Sequence, residues 1–288
     1  MKTLKHTFTA ALALIAATAL TLSSCQKEFN AKSYAPPVPP KSYNGYYNSK
    51  DIHPGNLVAY WPFSGDLKDS LSSTTGTATG TSFAGGVKGQ GLQGANNGYV
   101  VSDVPAAIKS LHSFTVSTWV KMPLNANGAV GLISIAENSG FWGTLDIFFD
   151  NGGSDTKGVL KVHLFSKATG TTGADGWAGG YSVDKPWGTW IQVAVTYDDT
   201  AGVITVYYNG NQVGTVTPTG FAPIDWSGAT KMAFGTLQFQ TNPSLTTGAT
   251  AQGWASYLTG VEDQVRFYNI VLSKNEVNAL YNLELAGR

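Results

Sequence analysis

The 288-residue chain contains a single cysteine, Cys25, so no disulfide can form within it. Charged residues are scarce at 12 %, and only two of the 18 basic residues, Arg266 and Arg288, are arginines. Without an Arg cluster there is no surface to grip phosphates or read base edges, which disfavours nucleic acid and anionic ligands generally. The four histidines are scattered with no paired spacing and no second thiol, which argues against zinc. No G-x-S-x-G elbow is present to support a nucleophilic serine. Long apolar runs are missing as well. The longest, Phe8 to Leu22, is about 15 residues interrupted by Thr9, Thr18 and Thr21, whereas a spanning helix needs roughly 20 predominantly apolar residues.

That short run follows Lys2 and Lys5 and leads into Leu22-Ser23-Ser24-Cys25, an n-region, h-region and cleavage site in order. The small residues ahead of the cysteine resemble the lipobox of bacterial lipoproteins. The resemblance implies that residues 1–24 are a signal peptide, that Cys25 carries the lipid, and that the chain reaches the membrane through this anchor alone. An incidental cysteine in an ordinary secretory peptide is the alternative, but an unpaired cysteine in an exported protein argues against it. Gln26-Lys27-Glu28 is similar to the charged tether of lipoproteins that reach the cell surface, so an outer-membrane, surface-exposed location is expected. Removing Lys2 and Lys5 leaves 16 basic against 18 acidic residues, a net charge of about −2.

What the chain does have is glycine (34 residues) and aromatics (12 %), the composition of a β-rich extracytoplasmic protein. Residues 25–54, with Ala35-Pro36-Pro37-Val38-Pro39-Pro40 and then Tyr- and Asn-rich sequence, read as an extended stalk. From 55 to 288 the pattern is one domain of short apolar runs. Strands are expected at 57–63, 114–121, 132–136, 145–149, 159–165, 190–197 and 203–208, the last turning through Asn209-Gly210 into 212–216. Leu160, Val162 and Leu164 alternate with Lys161 and His163, while 114–120 is nearly continuously apolar, as a strand covered on both faces would be. Only Ser273 to Glu276, a capping box ahead of Val277, Leu280 and Tyr281, predicts a helix. The fold class is therefore all-β, two packed antiparallel sheets forming a sandwich or jelly roll, with a short C-terminal helix.

The landmarks Leu57-Val58-Ala59-Tyr60-Trp61-Pro62-Phe63, Gly89-Gln90-Gly91-Leu92, Ser113 to Lys121, Trp190 to Tyr197, Tyr208-Asn209-Gly210 and Gly260 to Tyr268 occur in an order that resembles LamG-like jelly-roll domains of the concanavalin A-like lectin/glucanase superfamily. The likeness spans about residues 56–285. It implies the jelly roll, and it leaves function open among lectins, hydrolases, protein-binding modules and structural domains. Hydrolases of this superfamily carry a strand motif Glu-x-Asp-x-x-Glu, which is absent here, so no catalytic residue is assigned and a binding protein is favoured over an enzyme. Asp146 and Asp150 share a strand face but stand roughly 13 Å apart along it, outside the roughly 5.5–9.5 Å that glycosidases use. Members of the superfamily often hold structural calcium, for which Asp66, Asp69 and Asp263 are the candidate ligands; otherwise Asp66 and Asp69 cap turns. No other cofactor is implied. Gly89-Gln90-Gly91-Leu92-Gln93-Gly94 fits a dinucleotide fingerprint but lacks the strand before and the helix after it, and is read as turn glycines.

Trp61, Trp119 and Trp190 fall in strands and are expected in the core. Five more tryptophans lie in loop-like sequence. Sugar rings offer an apolar C–H face ringed by hydroxyls, so a site for them wants an aromatic platform beside polar acceptors. Asp175, Trp177 and Tyr181 fit that demand, followed by Trp142 with Asn138, and Trp254 with Tyr257. At least two loop tryptophans, Trp187 first among them, are expected instead to pin loops. The reading is a surface-tethered, non-catalytic glycan-binding lipoprotein. Its alternatives are a protein-binding or adhesive module and a divergent glycoside hydrolase.

Overall fold

Alternating apolar residues and glycine-marked turns do produce a sandwich. The structure, a computed structural model, describes residues 40–288 apart from 126, 167–172, 220 and 222. The expected signal peptide, Cys25 and the expected stalk as far as residue 39 lie outside the described residues. In chain order the strands are β1 Leu57–Trp61, β2 Thr77–Thr79, β3 Ser82–Gly85, β4 Gln90–Gln93, β5 Tyr99–Asp103, β6 Phe114–Lys121, β7 Ala129–Ile135 and β8 Leu145–Asp150. They continue with β9 Lys157–Ser166, β10 Ala174–Asp184, β11 Ile191–Asp198, β12 Val203–Tyr208, β13 Asn211–Val216, β14 Lys231–Phe234, β15 Ala255–Ser256 and β16 Val261–Tyr268, and the chain closes with helix α1, Lys274–Leu285. One sheet runs β13-β12-β11-β6-β16-β4-β3 with β1 against β16; the other runs β10-β9-β8-β7-β14-β5-β2 with β15 against β7.

The main core fills the space between the sheets, with Phe114, Val116 and Val120 of β6 facing Ile133, Leu145, Ile147, Phe149, Val162 and Leu164 of the second sheet. Trp61 and Trp119 are fully buried, whereas Trp190 is only half-buried at the edge of β11. β6 is buried on both faces because α1 covers the outside of the first sheet, where Trp119 stacks on Tyr281 with ring centroids 5.3 Å apart. The capping box forms as expected, Ser273 Oγ accepting from the Glu276 backbone N–H while the Glu276 carboxylate accepts from the Ser273 N–H. At the hairpin, Asn209 and Gly210 both take positive φ, 49° and 72°, which the primed turn requires.

The compact unit begins at Ser42, earlier than the boundary at 55 expected from the sequence. Tyr43, Tyr46 and Ile52, placed in the stalk by their lack of periodicity, pack with Leu272, Val277 and Leu280 under α1. Asn44 Nδ2 donates to the Asn275 carbonyl at 2.7 Å, and Tyr46 Oη donates to Glu276 Oε1 at 3.1 Å. A segment whose regular structure is limited to short 3-10 turns, such as Ser49–Asp51, leaves no periodic trace, and the rings and amides that fix it are legible only against the helix they touch.

Candidate functional site

Among the described residues no α-helix covers the outer face of the second sheet, and strand alternation decides what stands on it. Leu145, Ile147 and Phe149 of β8 point into the core, which turns Asp146, Phe148 and Asp150 outward. On β9 the same alternation turns Lys161 and His163 outward. Register then lines up Ser134, Asp146, His163 and Trp177 in one row across β7, β8, β9 and β10. Trp177 is thus a strand residue. Asp175-Gly176-Trp177 has the composition of a loop, but pairing with β9 draws it into an 11-residue strand.

Loops add the rest of the aromatic surface. Phe141 and Trp142 come from the β7–β8 connection and Trp254 from the segment just before β15. Trp142 meets Trp177 edge-on at 4.9 Å and lies 5.8 Å from Trp254, whose ring stacks near Phe141 at 6.2 Å. Phe148 and Phe239 are buried beneath them, 5.3 and 5.7 Å from Trp142. Trp177 and Phe141 each keep 38 % of their surface accessible, while Trp142 and Trp254 are half-buried. The Phe141–Trp142 loop is held from below by buried Gln238. Its Nε2 donates to the Gly140 and Phe141 carbonyls at 3.0 and 2.9 Å, and its Oε1 accepts from the Glu137 N–H at 2.8 Å. Platforms fixed in this way lose little side-chain entropy when something stacks on them.

A polar chain runs beneath the rings. Buried Ser134 Oγ donates to Asp146 Oδ1, and the Gly143 N–H donates to Asp146 Oδ2 at 2.7 Å. Buried His163 has its Nε2 2.8 Å from Asp175 Oδ1 and its Nδ1 3.4 Å from Asp146 Oδ2, the second a charge contact without hydrogen-bond alignment. Burial opposes charge on this imidazole, but the two carboxylates outweigh it and the His163 pKa is raised. The hydrogen bond from His163 in turn lowers the Asp175 pKa against the effect of desolvation. Asp175 therefore stands ionised beside Trp177 with 56 % of its side chain in solvent, while Asp146 has none. Lys161, on the same face of β9 as His163, is tied to Asp150 at 2.5 Å. The result is an aromatic platform with a fixed, exposed acceptor at its edge.

Of the residues singled out by sequence, Trp142, Asp175, Trp177 and Trp254 come together here and Tyr181 and Tyr257 do not. A bulge at Gly180, at φ +73°, inserts one residue between Gly179 and Tyr181, so Tyr181 turns inward opposite Leu160 and covers Gly214 of β13. Tyr257 stacks on Tyr99 at 6.2 Å in a separate cleft. Trp187 and Trp226 pin loops, donating to the Ser154 and Leu111 carbonyls at 2.6 and 2.8 Å. Asp146 and Asp150 have separate partners.

The three calcium candidates are not gathered into one ligand set. Among the described residues, no group of three or more His, Cys, Asp or Glu side chains is arranged to hold a metal. Asp66 Oδ1 accepts from the Lys68 N–H at 3.0 Å, and Asp69 Oδ1 accepts from the Tyr60 and Leu71 N–H groups at 2.8 and 3.2 Å, as turn caps do. Asp263 Oδ2 accepts from the Lys88 N–H at 3.0 Å and packs so close to Gly86 that a Cβ there would sit 2.3 Å from it. The 86–89 turn, which sequence did not connect to Asp263, is what holds that carboxylate.

Sequence reasoning passed over Phe141, His163 and Gln238. The outward phase of His163 on β9 was readable, as was that of Asp146 on β8, but the pairing that sets them side by side is a register between strands, which neither strand encodes alone.

A family profile, Laminin_G_3 of the concanavalin A-like lectin/glucanases superfamily, matches residues 93–278. No curated protein sequence matches the chain significantly. Among solved structures, the binding domain of Paraclostridial Mosquitocidal Protein 1 is similar with a TM-score of 0.59 at 17 % identity, covering 82 % of this chain and 53 % of that one. The binding domain of Botulinum Neurotoxin DC in complex with SialylT gives 0.53 at 15 % identity, covering 82 % and 52 %. Domain 4 of a GH43 extracellular arabinanase from Geobacillus stearothermophilus, in complex with arabinotriose, gives 0.50 at 22 % identity, covering 78 % and 98 %. The chain thus spans about half the length of the toxin binding domains it resembles.

Proposed function

Because the chain belongs to the Laminin_G_3 family of the concanavalin A-like lectin/glucanases superfamily, whose fold serves binding modules and enzymes alike, its function has to be argued from the site, and we propose that the outer face of the second sheet binds glycan without cleaving it. The observation that carries this reading is the convergence of Trp142, Trp177, Trp254 and Phe141 beside the exposed carboxylate of Asp175. The rings supply stacking for the C–H face of a sugar, and Asp175 accepts from its hydroxyls. The complexes with arabinotriose and SialylT among the similar structures support a sugar as the ligand class. Asp146, the carboxylate on the other side of His163, is fully buried with both oxygens hydrogen-bonded, so it is not placed to share with Asp175 the acid and base roles of glycoside hydrolysis.

The test is a polysaccharide panel followed by titration of the best binder. Trp177→Ala should weaken binding roughly tenfold or more, as loss of a central aromatic anchor does, with Asp175→Asn weakening it less. An unchanged affinity in Trp177→Ala, or no binding across the panel, ends the proposal.

We further propose that the domain is exported and tethered by a lipid on Cys25, on the strength of the Leu22-Ser23-Ser24-Cys25 segment. A diacyl or triacyl anchor holds a protein on a bilayer stably, at about 0.8 kcal/mol per buried CH₂. Cys25→Ser should move the protein from the membrane to the soluble fraction and abolish labelling by a fatty-acid analogue. Retention of either would show that Cys25 is not the anchor.

A further inference from the structure

The outer face of the second sheet carries a second aromatic feature at its other end. Tyr99 of β5 points outward, since its neighbour Val100 lies in the core, and it stacks on Tyr257 with ring planes 21° apart. Five strand steps separate β5 from Trp177 on β10, about 24 Å at about 4.8 Å per strand. Both phenols are locked. Tyr99 Oη donates to the Asn242 carbonyl at 3.1 Å and accepts from the Asn242 N–H at 3.0 Å, and Tyr257 Oη donates to the Gln240 carbonyl at 2.8 Å.

Two adjoining clefts, of about 300 and 390 Å³, share Tyr257 and Asn242 in their walls. Each reaches the size of small-molecule sites. Among the described residues lining them, none is charged. Four polar side chains face this space with nothing to bond: the carboxamides of Asn97 and Asn242 and the hydroxyls of Thr79 and Thr250 make no hydrogen bond within the described protein. All four are exposed, so solvent satisfies them until a ligand does.

We propose that this cleft is a second binding site, independent of the tryptophan face, for an uncharged saccharide unit. The partly exposed ring of Tyr257, backed by buried Tyr99, supplies the stacking surface, and free amides and hydroxyls supply both donors and acceptors, the complement of a sugar with no ionised group. The absence of charge in the lining sets it apart from the tryptophan face, where Asp175 contributes a full negative charge, so the two sites differ in what they select.

The experiment follows the side-chain amide resonances of Asn97 and Asn242 by NMR in the full chain while arabinotriose, xylotriose, cellotriose or mannotriose is added. At least one of these probes should shift both resonances, equally in the wild type and in Trp177→Ala. The shift of Asn242 should need at least about fivefold more sugar in Asn97→Gly, a substitution the backbone accepts because Asn97 already sits at φ 57°. Tyr257→Leu, which removes the stacking ring, should abolish the shift. If none of the four probes moves these resonances, or if the shifts vanish in Trp177→Ala, the second site is overturned. Loss of glycan binding at the tryptophan face alone leaves it standing, which keeps the two readings separately testable.

Discussion

Replacing Arg266 by methionine is expected to cost about 3–5 kcal/mol of folding stability, the cost of leaving one member of a buried ion pair without its partner. Arg266 is 3 % exposed beneath α1, and its Nε donates to Glu284 Oε1 at 2.6 Å. The guanidinium lies 4.1 Å from the Tyr60 ring centroid and its Nη2 donates to Gln264 Oε1 at 3.2 Å. Glu284 is fully buried, and its Oε2 accepts from Trp119 Nε1 at 2.7 Å and Gln192 Nε2 at 3.2 Å. With the arginine gone, that carboxylate keeps two neutral donors and loses the cation paired with it. The pair also joins the last turn of α1 to β16, so helix docking weakens with it. The double variant Arg266→Met, Glu284→Gln removes both charges and should recover more than half of the loss, because a neutral amide can still accept from Trp119. Urea denaturation followed by tryptophan fluorescence measures both. A cost below about 1 kcal/mol for Arg266→Met would place the pair with ordinary surface salt bridges and refute this account.

This junction also shows where sequence stopped being informative. The capping box and the apolar stripe of α1 announced a helix, and the continuous apolarity of β6 announced that something covers it. That the cover is held by a charged pair was hidden, because Arg266 and Glu284 are 18 residues apart on different elements and a charged residue in sequence reads as solvated. The binding face follows the same division. Its tryptophans were conspicuous as large rings in glycine-rich sequence. Their grouping depends on the register of β7 through β10, and the bulge at Gly180 turns Tyr181, grouped with Trp177 for its nearness in loop-like sequence, to the opposite face. His163 had an outward phase but no visible reason to matter until pairing set Asp146 and Asp175 on either side of it.

Glu262 supplies the second large effect, with the opposite sign. Its register partner Val120 faces the core, so Glu262 points between the two sheets, where it is fully buried. Thr118 Oγ1 donates to Glu262 Oε1 at 2.9 Å, and Oε2 has no partner among the described residues. Burial pushes the pKa up from 4.5 to about 8, with the hydrogen bond from Thr118 working against the shift and Asp263 adding to it. The native state therefore holds a proton that the unfolded chain has released. The sign follows from this difference: stability is unaffected below about pH 4.5, falls as pH rises from there to about 8, and is level above it. At pH 7 the native protonated acid costs about 3 kcal/mol relative to a side chain that never ionises. Glu262→Gln keeps the shape, keeps an acceptor for Thr118 and removes the titration. It should match the wild type near pH 4.5 and exceed it by about 3 kcal/mol at pH 7, with a further gain at pH 9. Denaturation midpoints at pH 5, 7 and 9 decide the matter, and a stability difference between the two proteins that does not change across those three values would show that Glu262 carries no such proton.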